Sequence, residues 1–94
     1  MAETTEPPRH ILKTWPEFFD AVKSGQKPFE VRLADRDFNV GDVLVLWRYD
    51  PETGEYTKAD DGHPVEVRRL VTYILPGGQF GIAPGFIVMG MRDA

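Results

Sequence analysis

The spacing of apolar residues along the chain changes period once. Trp15, Phe18, Phe19 and Val22 fall at i, i+3, i+4 and i+7, the spacing of one apolar face of a helix. Thr14 precedes the run as a candidate cap, Glu17 stands three residues later to complete a capping box, and Pro16 is tolerated in a first turn. Gly25 is the expected stop. The pattern predicts a helix over 15–24 with Trp15 in the core. From residue 29 the period is two. Phe29, Val31 and Leu33 alternate with Glu30, Arg32 and Ala34, which predicts a half-buried strand with Glu30 and Arg32 on its polar face.

Further strands follow at short spacing. Val43–Tyr49 is apolar on both faces except at Arg48, as in a central strand. Pro51-Glu52-Thr53-Gly54 turns it into a returning arm that carries Tyr56, and Asp60-Asp61-Gly62 is an exposed turn. Val65–Leu75 reads as a long strand, with Arg68-Arg69 breaking its alternation as a bulge does. Pro76-Gly77-Gly78 ends it, and Phe86–Met91 closes the pattern. The expected class is α+β, mainly β: one main helix across the opening of a small, partly closed barrel.

Composition narrows the function classes. Ninety-four residues make one domain, with eleven aromatic side chains to fill a small core. Residues 1–8 are acidic and polar and read as a flexible leader before a single domain over 9–94. The chain has no cysteine, which excludes disulfides and thiol catalysis and fits a reducing cytoplasm. No apolar run approaches the ~20 residues of a membrane span, so no membrane partner is expected. The net charge is −4 but unevenly placed. Residues 9–36 hold six Lys/Arg against four Asp/Glu, and residues 37–94 hold five against nine. This balance argues against non-specific nucleic-acid binding.

Few residues offer chemistry. His10 and His63 lie far apart and read as two solvated histidines, so neither a metal nor another cofactor is expected. The one serine, Ser24, precedes the helix-ending glycine and reads as a cap residue. Pro76–Gly81 follows no phosphate-loop pattern. The polar positions that remain are Lys27, Glu30 and Arg32. Lys27 and Arg32 can contact phosphate, Arg32 bidentately. Glu30 can accept from a base edge or simply pair with the two cations. His10 and Lys13 lie just upstream of the helix start, whose free N–H groups can hold an anion. Asp35-Arg36-Asp37 extends the polar wall or forms a charged turn. Trp15, Trp47, Tyr49 and Tyr56 can stack on bases; Trp15 reads as core, and Tyr56, in a polar hairpin arm, is the better candidate.

The order of these motifs resembles the small ASCH-like domains of the PUA-like superfamily. The resemblance runs from His10-Ile11-Leu12-Lys13 through Gly25-x-Lys27-x-x-Glu30-x-Arg32, Asp35-Arg36-Asp37-Phe38 and Val40-Gly41-Asp42-Val43-Leu44 to Gly85-Phe86-Ile87-Val88-Met89. It implies a β-barrel of five or six strands with a helix packed beside it and a polar cleft between the two. It also implies RNA binding, with Lys27, Glu30 and Arg32 as motif residues and His10, Lys13, Asp35 and Arg36 as neighbours. Close relatives carry Asn where this chain has Ala34, and Gly where it has Lys58. One enzymatic group hydrolyses an acetylated cytidine with a lysine and a threonine three residues later. Lys27 matches the lysine and Glu30 replaces the threonine, which makes Lys27 a poorer nucleophile yet leaves Glu30 able to act as a base. Three function classes stay open: an RNA- or nucleotide-binding domain, a small hydrolase of a modified nucleoside or RNA with Lys27 and Glu30 catalytic, and a protein-interaction module.

Overall fold

The structure is a computed structural model that describes residues 6–94. The first five residues of the expected leader lie outside the described residues. In order come β1 (Arg9–Thr14), α1 (Pro16–Ser24), β2 (Phe29–Leu33), β3 (Val43–Asp50), β4 (Glu55–Tyr56), β5 (Glu66–Pro76) and β6 (Phe86–Asp93). The fold is mainly β with one helix, as the periodicity indicates. The strand β1 was not legible as one. It runs parallel to β3, with Arg9 opposite Val43 and Thr14 opposite Arg48.

The sheet order is β1-β3-β5-β6-β2, with β4 pairing β3 to one side. β1 and β2 are therefore the two ends, and no ladder joins them among the described residues. The sheet is open and not a closed barrel. It is nevertheless strongly curled. Five flat strands at ~4.8 Å spacing would hold the end strands roughly 19 Å apart. Here Arg32 Nη2, on β2, donates to Thr14 Oγ1, on β1, at 3.1 Å. Side chains thus bridge the seam that a ladder would have to close.

The helix forms where the period of 3.6 requires it, but its start differs from the sequence reading. Trp15 is the N-cap residue and no side chain caps the helix. Thr14 stays in β1, and its hydroxyl donates to Leu12 O at 3.3 Å, so the capping box does not form. Phe19 and Val22 enter the core, where they pack with Leu12, Leu44, Leu46, Val71 and Met89. Trp15 and Phe18 do not: they are 48% and 43% exposed. Gly25 ends the helix in the left-handed region at φ 87° and donates its N–H to Val22 O at 3.0 Å. The turn folds the chain back, so that the Lys27 N–H reaches Ala21 O at 3.0 Å.

β2 has the expected alternation with the opposite facing. Glu30 is buried, whereas Phe29, Val31 and Leu33 are 41%, 48% and 52% exposed. As an end strand, β2 turns its polar side toward the seam, where cations partner Glu30. The bulge in β5 also lies elsewhere than expected, between Val71 and Tyr73. Arg68 and Arg69 stay in regular register with Val45 and Leu44. Arg68 pairs with Glu66 at 2.7 Å, and Arg69 reaches back to the helix-end carbonyl of Val22 at 3.1 Å. Both cations therefore find partners without an interruption of the ladder. The bulge falls opposite Gly90, where an added Cβ would stand 3.3 Å from Thr72 Oγ1.

Candidate functional site

A cavity of about 600 Å³ opens beside the seam between β1 and β2, at the start of α1. This lies within the ~300–1,000 Å³ range typical of small-molecule sites. Its charged floor comes from the β2 alternation. Glu30 projects inward with its side chain only 4% exposed, and each of its oxygens meets a different cation. Lys27 Nζ donates to Oε1 at 2.5 Å and Arg32 Nε donates to Oε2 at 2.9 Å. Lys27 Nζ also donates to Phe29 O at 2.9 Å. Arg32 Nη2 donates to the buried Thr14 hydroxyl across the seam. Neither carboxylate oxygen is left bare, which is what a buried carboxylate requires.

The rim is aromatic. The Trp15 and Phe18 rings lie 6.0 Å apart at an interplanar angle of 21°. The Lys27 ammonium sits between two rings, 5.6 Å from the Phe18 centroid and 5.0 Å from that of Phe29. These are cation–π distances, and they hold the ammonium at the edge of the opening. Two cations against one carboxylate leave the floor with one net positive charge.

The candidates from the sequence divide into two groups. Lys27, Glu30, Arg32 and Lys13 line the cavity. The Lys13 ammonium, however, lies 4.8 Å over the Tyr49 ring. His10, Asp35, Arg36 and Tyr56 are not among its lining residues. His10 is not solvated: its Nε2–H donates to the buried Asp42 carboxylate at 2.8 Å, and its ring lies 4.7 Å from that of Phe38. Asp42 also accepts the Asn39 N–H at 2.9 Å, so His10 clips β1 to the turn before β3. Arg36 pairs with Asp35 at 3.6 Å and lies over Phe38 at 5.7 Å, a charged turn rather than a cleft wall. Tyr56 packs edge-on to Tyr49 and Trp47 at 5.0 and 5.6 Å. His63 is exposed, as expected.

Sequence reasoning misses Thr14, Phe18 and Phe29 as site residues and places Trp15, a possible stacking residue, in the core instead of on the rim. Thr14 has the spacing of a helix cap, and the three aromatic residues follow periodicities that ordinarily mean burial. Among the described residues no three His, Asp or Glu side chains are grouped to hold a metal. Nor is any helix there long and apolar enough to cross a membrane.

The fold and the cavity define a small, mainly β domain with a charged, ligand-sized recess at the opening of its sheet. Within that class, the chain belongs to the family described as "Domain of unknown function (DUF3850)", whose profile matches residues 9–91. No curated protein matches the chain.

Proposed function

We propose that the chain is an RNA- or nucleotide-binding domain whose ligand occupies the recess between α1 and β2. The observation that carries this reading is the pairing of a floor of net charge +1 with a rim of three half-exposed aromatic rings. Cations recognise phosphate and ring faces stack on bases, and a nucleotide presents both groups within one small molecule. The start of α1 lies at the same opening with no side-chain cap, so its N–H groups add a favourable field for an anion. The ASCH-like order of motifs and the strong curl of the sheet support the same reading, with the open seam standing where a closed PUA-like barrel would continue. The lack of cysteine supports a cytoplasmic setting.

Fluorescence titration with short single-stranded RNA at low salt tests it. Saturable binding that Lys27→Ala weakens is the expected result. No binding, or binding that Lys27→Ala leaves unchanged, overturns it.

The hydrolase reading has one observation in its favour: Lys27 and Glu30 meet in the cavity. Against it, both Glu30 oxygens already accept charged hydrogen bonds, which leaves a poor general base. Incubation with acetylated cytidine and with structured RNA, followed by chromatography, separates the two readings. Product formation would favour the enzyme. A protein-interaction module instead predicts that ligand screens stay empty while Glu30→Gln lowers thermal stability.

A further inference from the structure

We infer that the recess takes a single phosphodiester with one stacked base, and that it does not select among bases. This rests on the nucleotide-binding reading and sharpens what the ligand must be. The charge of the floor sets the number of phosphates. Lys27 and Arg32 against Glu30 leave one positive charge, and a phosphodiester carries one negative charge. The remaining cation along the cavity, Lys13, has its ammonium over Tyr49. Tyr49 does not line the cavity, so the Lys13 ammonium is directed away from the floor, and among the described residues the floor offers a second or third phosphate no further cation.

The donors agree with that count. The Lys27 ammonium has spent two of its N–H groups, on Phe29 O and Glu30 Oε1. Arg32 has spent one on Glu30 and one on Thr14. Among the described residues this leaves one N–H on Lys27 and three on Arg32 (an ammonium has three and a guanidinium five). That set serves the two non-bridging oxygens of one diester. A planar fork beside a point-like ammonium is also the arrangement that recognises such a group.

Base selectivity is limited by what has already been used. Glu30 has given both oxygens to cations. The Thr14 hydroxyl donates to Leu12 O and accepts from Arg32. Both are buried beneath the two cations, so a base edge does not reach the acceptor sites they have left. The rim offers the faces of Trp15, Phe18 and Phe29, and every base has a π-face. With the Lys27 and Arg32 donors on the phosphate, the Trp15 indole N–H remains on the rim, and every base carries an acceptor for it.

A phosphodiester beside a base occurs inside a nucleic-acid strand and in a free cyclic nucleotide. The experiment separates the two. The full chain is titrated with ApA, CpC, GpG and UpU, with 3′,5′-cyclic AMP, and with AMP and ATP, and NMR chemical shifts are followed. The four dinucleotides are expected to agree within about fivefold, under ~1 kcal/mol, and ATP is expected to bind no tighter than AMP. Arg32→Lys keeps the charge and loses the fork, and should weaken the dinucleotides about tenfold, the scale of one charged hydrogen bond. Trp15→Ala should cost a similar factor through lost stacking, within the ~1–3 kcal/mol of one base. Binding of the dinucleotides but not the cyclic nucleotide supports the inference with a strand as the source; the reverse supports it with a free nucleotide. A preference of tenfold or more for one base, a tenfold gain from AMP to ATP, or an Arg32→Lys variant that binds normally overturns it. If short RNA binds and no dinucleotide or cyclic nucleotide does, this inference fails and the RNA reading stands. If no probe binds, the RNA reading itself fails.

Discussion

Two arginines in this molecule make nearly the same bonds and have different consequences. Arg48, on β3, donates Nε and Nη2 to the two oxygens of Asp20 at 3.0 and 3.1 Å, and Nη1 to the Thr57 hydroxyl at 2.9 Å. Arg32, on β2, donates Nε to Glu30 and Nη2 to the Thr14 hydroxyl. Each guanidinium therefore joins one carboxylate and one threonine across two elements. The difference lies in the carboxylate. The Asp20 side chain is 59% exposed and serves one arginine with both oxygens. Glu30 is buried and divides its oxygens between Arg32 and Lys27. The first arrangement is neutral, and it places three of the five N–H groups of its arginine on protein at an open surface, so it is a staple between α1 and β3. The second carries a surplus positive charge and leaves donors beside a cavity. An ion pair becomes a site when its carboxylate is shared and its surroundings exclude water on one side only.

The largest way to break this comparison is to remove the shared carboxylate. Glu30→Leu strands two part-buried cations at the seam. Breaking a buried pair from one side costs about 3–5 kcal/mol, and the partial exposure of Lys27 and Arg32 lowers that to roughly 2–3 kcal/mol here. For a domain of this size, ~1 kcal/mol moves the melting temperature by about 4–8 °C, so a fall of at least ~10 °C is expected. A thermal melt by circular dichroism measures it. A fall of only a degree or two would mean that Glu30 is no more integral to the fold than Asp20.

How much of this was legible in the sequence follows from the same strand. Period two states which residues share a face, and Glu30 and Arg32 do share one. It does not state which face is inside. The apolar set Phe29, Val31 and Leu33 suggests its own burial, yet β2 is an end strand whose outer side is left half-exposed by the described residues. The polar side turned inward because three charged groups there satisfy one another, a fact of partnership between residues and not of any single residue. The helix was legible to within one residue, since Phe19 and Val22 needed a core and Gly25 needed φ > 0. The role of Trp15 was not, because the helical face is wider than the patch of core beneath it. The strand β1 escaped notice because Ile11 and Leu12 are adjacent apolar residues on opposite faces, which blurs a period of two in a short run. Its pairing with β3 is parallel and non-local, so no turn announced it. Lys27, Glu30 and Arg32 stood out because charges that do not serve solubility must serve each other or a ligand.

The threonines sharpen the comparison at smaller scale. Thr14 is buried and accepts the bond from Arg32 across the seam, whereas Thr57 is part-buried beside a staple that already has two bonds. Thr14→Val keeps the shape and removes the acceptor for Arg32, with an expected loss of ~1 kcal/mol or somewhat more. Thr57→Val should lose less, about 0.5 kcal/mol. Urea unfolding of the two variants side by side measures the difference. The binding readout should diverge further: Thr14→Val frees Arg32 to turn and weakens the RNA titration, and Thr57→Val leaves it unchanged. Equal effects on binding would mean that the fork of Arg32 is not held for a ligand.

The smallest expected effect concerns the staple itself. The hydrogen bonds from Arg48 hold the Asp20 carboxyl below its ordinary value of 3.8, more than its slight desolvation raises it. The bond from Arg68, aided by the Trp47 N–H, likewise holds Glu66 below 4.5. A carboxyl whose value is lowered on folding binds fewer protons in the folded state than in the unfolded state in that range. Its contribution is therefore complete above the unfolded value and disappears as pH falls through the lowered one. Asp20→Asn should reduce stability slightly and equally at pH 6 and pH 8, and the gap to the parent chain should close in acid, as the pH falls below the ordinary 3.8. Because Asp20 faces water, added salt should narrow the same gap near neutral pH. Melting curves at these pH values with and without 0.5 M salt, a concentration about three times physiological ionic strength, measure both trends. A gap that is large, insensitive to salt and still present in strong acid would place Asp20 in the class of Glu30, and the distinction between staple and site would then rest on the cavity alone.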